Sequence, residues 1–500
     1  MLRRTLFLLL ILMPALLFGA DATIPDSQLV LLKSDSPLIA FRVQFLTGSA
    51  KDQPGKEGIA SLTASVLAEG STTKNDYQKI LKFLYPMAAS YNAQVDKEMT
   101  TFYGVAHKDN LASYYELFRD AVLSPAFKKE DFERLKTDQL NYVAKGLRFN
   151  DDEELGKETV NWALFRNHSY GHPNAGMVSS NRSLTLEDVQ AFYKQQYARA
   201  NLVIGVAGNY PDTLIGQIKK DFAALPATPK DVREEKRSVE MVNGIHAVLV
   251  EKETPATAFS FGFPISFTRA DDDFYPMMIA NSWLGQHRSS FSHLYQVMRE
   301  ARGMNYGDYS YIEYFAAGGR NSQPPTNNAR RHQIFQIWIR PVPAPFRHFA
   351  LRQAVRELQM LIDKGMTQED FDLTRNFLLN FRVNLAQSNS EQLGYALDDR
   401  FYGLSKPFLE QMKIRFAALK LEDVNNAIRK HLNTKNMMIA AVTQDAGSFQ
   451  EALVKNIPSP ITYDSPKPDK IMEEDKIIQN YPLEIKAENV TIIPTDKIFE

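Results

Sequence analysis

The chain has 500 residues, 58 Lys+Arg against 59 Asp+Glu, 44% hydrophobic residues and no cysteine. Its length is a soft prior of about three domains, and a formal charge of −1 leaves no basic excess for nucleic acid. The lack of cysteine excludes disulfides, thiolate metal sites and cysteine nucleophiles.

Taken in chain order, Arg3 and Arg4 precede an apolar run from Leu6 to Phe18, and Ala20-Asp21-Ala22 offers small residues for cleavage. Residues 1–22 therefore read as an export leader. The run falls short of the ~20 apolar residues that span a bilayer comfortably, and no cysteine follows it for lipid attachment. The product is expected to be periplasmic or secreted. Strands are predicted over 38–47, 91–94 and 100–106, then over 256–267 and 333–339, from alternating or continuous apolar residues. Amphipathic helices are predicted over 129–147, 153–165, 346–363 and 368–385. Strands followed by helices in each half imply an α+β class, two domains each built on a mainly antiparallel sheet packed with helices.

The halves are related to each other. Leu186-Glu187-Asp188-Val189 leads through a helical pattern to Asn201-Leu202-Val203-Ile204, and Leu421-Glu422-Asp423-Val424 leads likewise to Asn436-Met437-Met438-Ile439. The differences 421 − 186 and 436 − 201 both give 235 residues, the mark of a duplication. The expected boundaries are 23–225 for the first domain, 226–243 for a linker with a charged Arg-Glu-Glu-Lys-Arg run, and 244–457 for the second domain. Residues 458–500 open with Pro458, Pro460, Pro466 and Pro468 and are expected to be extended rather than helical. Short strands are expected around Leu483 to Ile485 and Val490 to Ile493, docking on this chain or on a partner.

Two segments carry the chemistry. In the first, Gly58-Ile59-Ala60 leads into Ser61-Leu62-Thr63-Ala64-Ser65, and Gly70-Ser71 closes it. In the second, Leu294-Tyr295-Gln296-Val297-Met298-Arg299-Glu300-Ala301-Arg302-Gly303-Met304-Asn305-Tyr306 follows Gly285. Together with the repeat they resemble the insulinase/pitrilysin zinc peptidases, the inverzincins, over about residues 28–457. In that family a Gly-x-Ala leads into His-x-x-Glu-His, whose histidines bind zinc while the glutamate serves as base. The resemblance places the histidines at Ser61 and Ser65, the base at Ala64, and the distal glutamate ligand at Asn141. All four positions are replaced, so no metal is expected in this chain. The second segment is similar to the family's Leu-x-x-x-Leu-Arg-Glu-x-Arg-Gly-Leu-x-Tyr stretch, whose Arg and Tyr grip the substrate backbone. Here they are Arg299 and Tyr306, with Arg302 expected in a salt bridge.

The resemblance implies a half-clamshell that is inactive alone: an exported, non-catalytic, substrate-binding subunit of a heterodimeric zinc endopeptidase. A homologous partner with an intact HxxEH motif would supply zinc, and unfolded peptides would be the substrate. Two rivals differ in class. One is a peptide-binding chaperone or assembly scaffold without proteolysis; the other is a self-sufficient peptidase with an unorthodox metal site. His168 and His172 have ligand spacing, but Gly171 and Pro173 argue against a helix there, and His287 and His293 read as structural.

Overall fold

The computed structural model describes residues 23–229, 239–316 and 320–500. The expected leader, 1–22, and the core of the expected linker, 230–238, lie outside the described residues. Among the described residues eleven strands form two sheets: β1 Leu29–Lys33, β2 Leu38–Phe45, β3 Ser90–Val95, β4 Thr100–His107, β5 Leu202–Gly208, β6 Ile245–Glu251, β7 Ala256–Ile265, β8 Asp308–Tyr311, β9 Gln333–Pro343, β10 Met437–Thr443 and β11 Val490–Pro494.

The first sheet runs β1-β5-β2-β4-β3 and the second β11-β6-β10-β7-β9-β8. Without β11 the two orders are the same. In each, the first strand pairs parallel with the strand that closes the repeat and the remaining pairs are antiparallel. The 235-residue offset holds for β5 and β10, at Leu202 and Met437, and for the preceding helices Leu186–Gln196 and Leu421–His431. The α+β duplication read from the sequence is the fold.

Helices fill one face of each sheet with the sheet's own half. Phe259, Phe261 and Ile339 meet Phe349, Leu358 and Ile428 in the larger core, and Phe41, Val43 and Ile204 meet Phe118 and Val189 in the smaller. The opposite faces are covered reciprocally. Helix Asp152–Leu164, from the first half of the sequence, packs on β7, β10 and β9, while helix Asn389–Tyr402, from the second half, packs on β2, β5 and β1. Small residues permit this approach. A Cβ on Gly205 would lie 2.7 Å from a Leu393 methyl, and Ala40 and Ala207 complete the floor under Leu393.

Charged groups pin the junction between the halves. The buried Arg330 guanidinium donates to Asp96 at 2.8 and 2.5 Å, and Arg42 donates to Asn327 at 2.5 Å. Asn327 in turn donates its backbone N–H to Asp398 at 3.0 Å.

The tail departs from expectation. Pro458 to Pro468 is irregular, but residues Asp469–Ile478 form a helix, with Pro468 at its N-cap, where a missing N–H costs nothing. Ile478, Leu483 and Ile485 enter the larger core. β11 then extends the second sheet parallel to β6, Val490 opposite Ala247. The tail ends on the first half: Val178 and Ser179 donate backbone N–H groups to the carbonyls of Phe499 and Glu500 at 2.8 and 2.9 Å. Among the described residues no helix is long and apolar enough to cross a membrane.

Candidate functional site

Helix Ile59–Glu69 packs on β3, the edge strand of the first sheet, and carries the first segment. Its glycines have structural reasons to persist. Gly58 caps the helix at φ +96°, and a Cβ there would meet the Ala175 carbonyl at 2.6 Å and the Gln139 amide at 2.8 Å. Its N–H and that of Ala60 are taken by the half-buried Asp52 carboxylate at 2.6 and 3.0 Å. Burial pushes that carboxyl up to about 8 against the pull of both donors. At the other end, a Cβ on Gly70 would strike the Val66 carbonyl at 2.2 Å. Inside the frame, Leu62 and Ala64 belong to the first half's core, while Ser61 and Ser65 are only half-buried.

Ser61 is half-buried and donates its hydroxyl to the Asn174 carbonyl at 2.6 Å. Ala64 is 1% exposed and brings only a methyl group. Ser65, one turn on, is half-buried. Asn141 is exposed at the end of helix Lys129–Asn141 and does not line the cavity above Ser61; the adjacent Tyr142 does. The helix widens into a π-helix over Tyr142–Asn150 directly after Asn141. Neither residue is a carboxylate. One hydroxyl already committed to a carbonyl, a methyl, a second hydroxyl and a phenol do not make a zinc donor set. Among the described residues no cluster of three His, Cys, Asp or Glu side chains is arranged for a metal ion.

The cavity above Ser61 has a volume of about 420 Å³ and draws on both halves. Asp151, Glu154 and Glu158 project from the start of helix Asp152–Leu164, facing Arg320, Tyr142 and Tyr314. The Tyr314 hydroxyl donates to Glu158 at 2.9 Å, and Glu154, raised by burial, pairs with Lys157 at 3.2 Å. The sequence reading missed this wall. Its signal was the i, i+3, i+7 spacing of the three carboxylates, which lines one helix face.

His172 is held by its ring nitrogen against the Pro173 carbonyl at 2.9 Å; burial and then Lys97 push its imidazole down to about 3, so it is neutral. His168 stands edge-on to His332, ring centres 4.7 Å apart. His287 is fixed between the Tyr311 hydroxyl and the Asn321 carbonyl at 2.8 and 2.9 Å. His293 binds the Glu357 carboxylate at 2.7 Å and stacks on Trp283.

In the second half, Arg299 lies on a π-helix over Tyr295–Glu300, and Tyr306 follows just before β8. The Arg299 guanidinium sits 4.6 Å from the Tyr295 ring centre and 5.7 Å from that of Tyr306. It donates to the Tyr295 hydroxyl and, at 3.2 Å, to the Tyr306 carbonyl. The structure thus brings the pair together: a half-buried guanidinium between two phenol rings, beside a Tyr306 that is 74% exposed. Neither side chain lines the cavity above Ser61. Arg302 is fully buried and bonded to Asp475 and Glu474 at 2.9 and 2.8 Å.

Residues 29–176 match the model of the insulinase peptidase family, M16, and residues 183–378 match that of the peptidase M16 inactive domain. The chain belongs to the insulinase (M16) peptidase family. It is 22% identical over 409 residues to a protein of Bacillus subtilis named "Uncharacterized zinc protease YmxG", covering 81% of this chain and 93% of that one. It is also 22% identical over 416 residues to the "Non-peptidase homolog YmxG" of Helicobacter pylori, covering 81% and 89%. A peptidase M16 inactive domain from Pseudomonas fluorescens shares the fold with a TM-score of 0.72 at 23% identity, covering 83% of this chain and 95% of that one. Among M16 proteins this chain is of the inactive type: the positions that would hold and use zinc carry Ser61, Ala64 and Ser65.

Proposed function

We propose that this M16 protein is the substrate-binding, non-catalytic subunit of an exported heterodimeric zinc endopeptidase. The partner is a homologous chain with an intact HxxEH motif, and it supplies the zinc, the water and the base. The observation that carries the reading is the contrast between the two segments. The first has lost every donor, while the second keeps Arg299 and Tyr306 stacked, half-buried and exposed respectively, where a protein with no ligand gains little from an uncovered phenol. A guanidinium presents a rigid fork to peptide carbonyls, and a phenol aimed at a developing oxyanion is worth a few kcal/mol of barrier. The cavity lining of three carboxylates against one arginine favours a cationic side chain of an unfolded peptide.

The test mixes the purified chain with a HxxEH-bearing M16 chain from the same genome and follows cleavage of casein. The account expects a stable pair that cuts faster than either chain alone. Arg299→Ala and Tyr306→Phe should lower turnover without loss of pairing. A second reading, a peptide-binding chaperone or scaffold without proteolysis, draws support from the name of the Helicobacter pylori relative. An inactive homodimer that holds no HxxEH partner would favour it.

A further inference from the structure

The turn that carries the Arg299–Tyr306 pair is wide: beside one α-type bond, from the Gly303 N–H to the Arg299 carbonyl at 2.7 Å, its backbone bonds span five and six residues. Ala301 donates its N–H to the Gln296 carbonyl, five residues back, and Met304 to that of Met298, six back. Such wide turns are rare and occur mostly as single turns, frequently at functional sites. The Val297 carbonyl is satisfied instead by side chains, the Arg302 guanidinium at 2.8 Å and the Gln353 amide at 3.1 Å.

Arg302 itself depends on the C-terminal segment. Its side chain has no solvent exposure, and its carboxylate partners among the described residues are Asp475 and Glu474, both on helix Asp469–Ile478. Those two acids are held in turn. Tyr463 donates its hydroxyl to Asp475 at 2.7 Å, and Arg356 joins Glu474 to Glu357 at 3.0 Å each. Glu357 also takes the His293 ring at the start of the same turn. A buried guanidinium stripped of its carboxylates is costly enough to leave its site. Arg302 stands three residues from Arg299 and four from Tyr306, so its departure would reorganise the turn that presents both.

We propose that residues 458–500 are a brace for the substrate-gripping pair, with Arg302, Glu474 and Asp475 as its positioning residues. This rests on the reading of Arg299 and Tyr306 as the peptide grip. The segment's other contacts suit the role. The buried Arg352 donates to the Ile457 carbonyl at 2.9 Å and to the Ser459 hydroxyl at 2.8 Å, fixing the start of the segment, while β11 fixes its far end on β6.

The test uses the full chain with Glu474→Gln and Asp475→Asn combined, which keeps shape and removes charge. Amide hydrogen exchange is read across the chain, and fluorescein-labelled β-casein serves as the unfolded probe. The brace predicts that exchange over residues 297–307 accelerates about tenfold, with residues 29–107 unchanged, and that casein binding weakens about tenfold, toward that of Arg299→Ala, the scale of a lost charge-assisted hydrogen bond. Arg302→Lys, which keeps charge but not the fork, should fall between. Arg148→Met removes one of the two ion pairs at Glu500, at the far end of the segment, and should leave residues 297–307 untouched; if it does not, the effect is general loosening and the brace is overturned. Unchanged exchange at 297–307 in the double variant also overturns it, as does unchanged casein binding where Arg299→Ala weakens it. If neither Arg299→Ala nor Tyr306→Phe alters casein binding, the grip reading fails, and the exchange result alone decides whether the segment supports the turn.

Discussion

Arg330→Met is the sharpest probe of how the two halves hold one another. The Arg330 and Asp96 side chains are 3% and 2% exposed and meet in a two-pronged pair at 2.8 and 2.5 Å. The guanidinium also lies 3.4 Å from the centre of the Tyr314 ring. Removing it strands a buried carboxylate whose remaining support includes the Asn174 amide at 3.0 Å. Breaking a buried pair from one side costs about 3–5 kcal/mol, and loss of the cation–π contact adds about 1 kcal/mol. At ~2–4 °C per kcal/mol for domains of this size, the midpoint of thermal unfolding should fall by roughly 10–20 °C. Asp96→Asn combined with Arg330→Met leaves no stranded charge and should recover most of the loss, a strongly non-additive cycle. Calorimetry on the four proteins measures it. A single variant within about 1 kcal/mol of the parent, or a double variant that merely sums the singles, would refute the reasoning.

Three further outcomes follow from particular residues. Asp308 is fully buried, with one oxygen on the Asn305 amide at 2.8 Å, and burial pushes its carboxyl up to about 8. Its folded state binds the proton that the unfolded chain releases near pH 4, so its contribution to stability falls as pH rises from about 4 to 8. Asp308→Asn should remove that decline, seen as a flatter plot of unfolding midpoint against pH than the parent gives. Phe499→Ala empties a site that is 1% exposed and edge-on to Trp162. Exchange at the Val178 and Ser179 amides, bonded to the last two carbonyls, should accelerate while β4 stays protected. Rebuilding the motif with Ser61→His, Ala64→Glu and Ser65→His should give no casein cleavage by the isolated chain, because Asn141 and Tyr142 supply no third ligand.

Much of the fold was legible because it is written twice. Patterns 235 residues apart mark β5 and β10 with their preceding helices, and the glycine frame of helix Ile59–Glu69 is preserved by sterics that act whatever the motif inside it contains. Arg299 and Tyr306, singled out from one motif, lie together, the guanidinium 5.7 Å from the centre of the phenol ring. Other features rest on distant or subtle causes. The exchange of helices Asp152–Leu164 and Asn389–Tyr402 between halves leaves no local trace, since each looks like any amphipathic helix. The resemblance placed the distal position at Asn141, and nothing in the sequence marked the π-helix that begins at the next residue, Tyr142, which lines the cavity above Ser61. The prolines before residue 469 suggested an extended tail, yet proline opens helices well and Pro468 does so here.

The most direct measurement is the zinc content of the purified chain after equilibration with excess zinc and gel filtration, paired with casein cleavage by the same sample. The account predicts zinc far below one ion per chain and no cleavage above buffer, with activity appearing only when a HxxEH-bearing chain is added. One retained ion per chain, with chelator-sensitive cleavage by the protein alone, would contradict it.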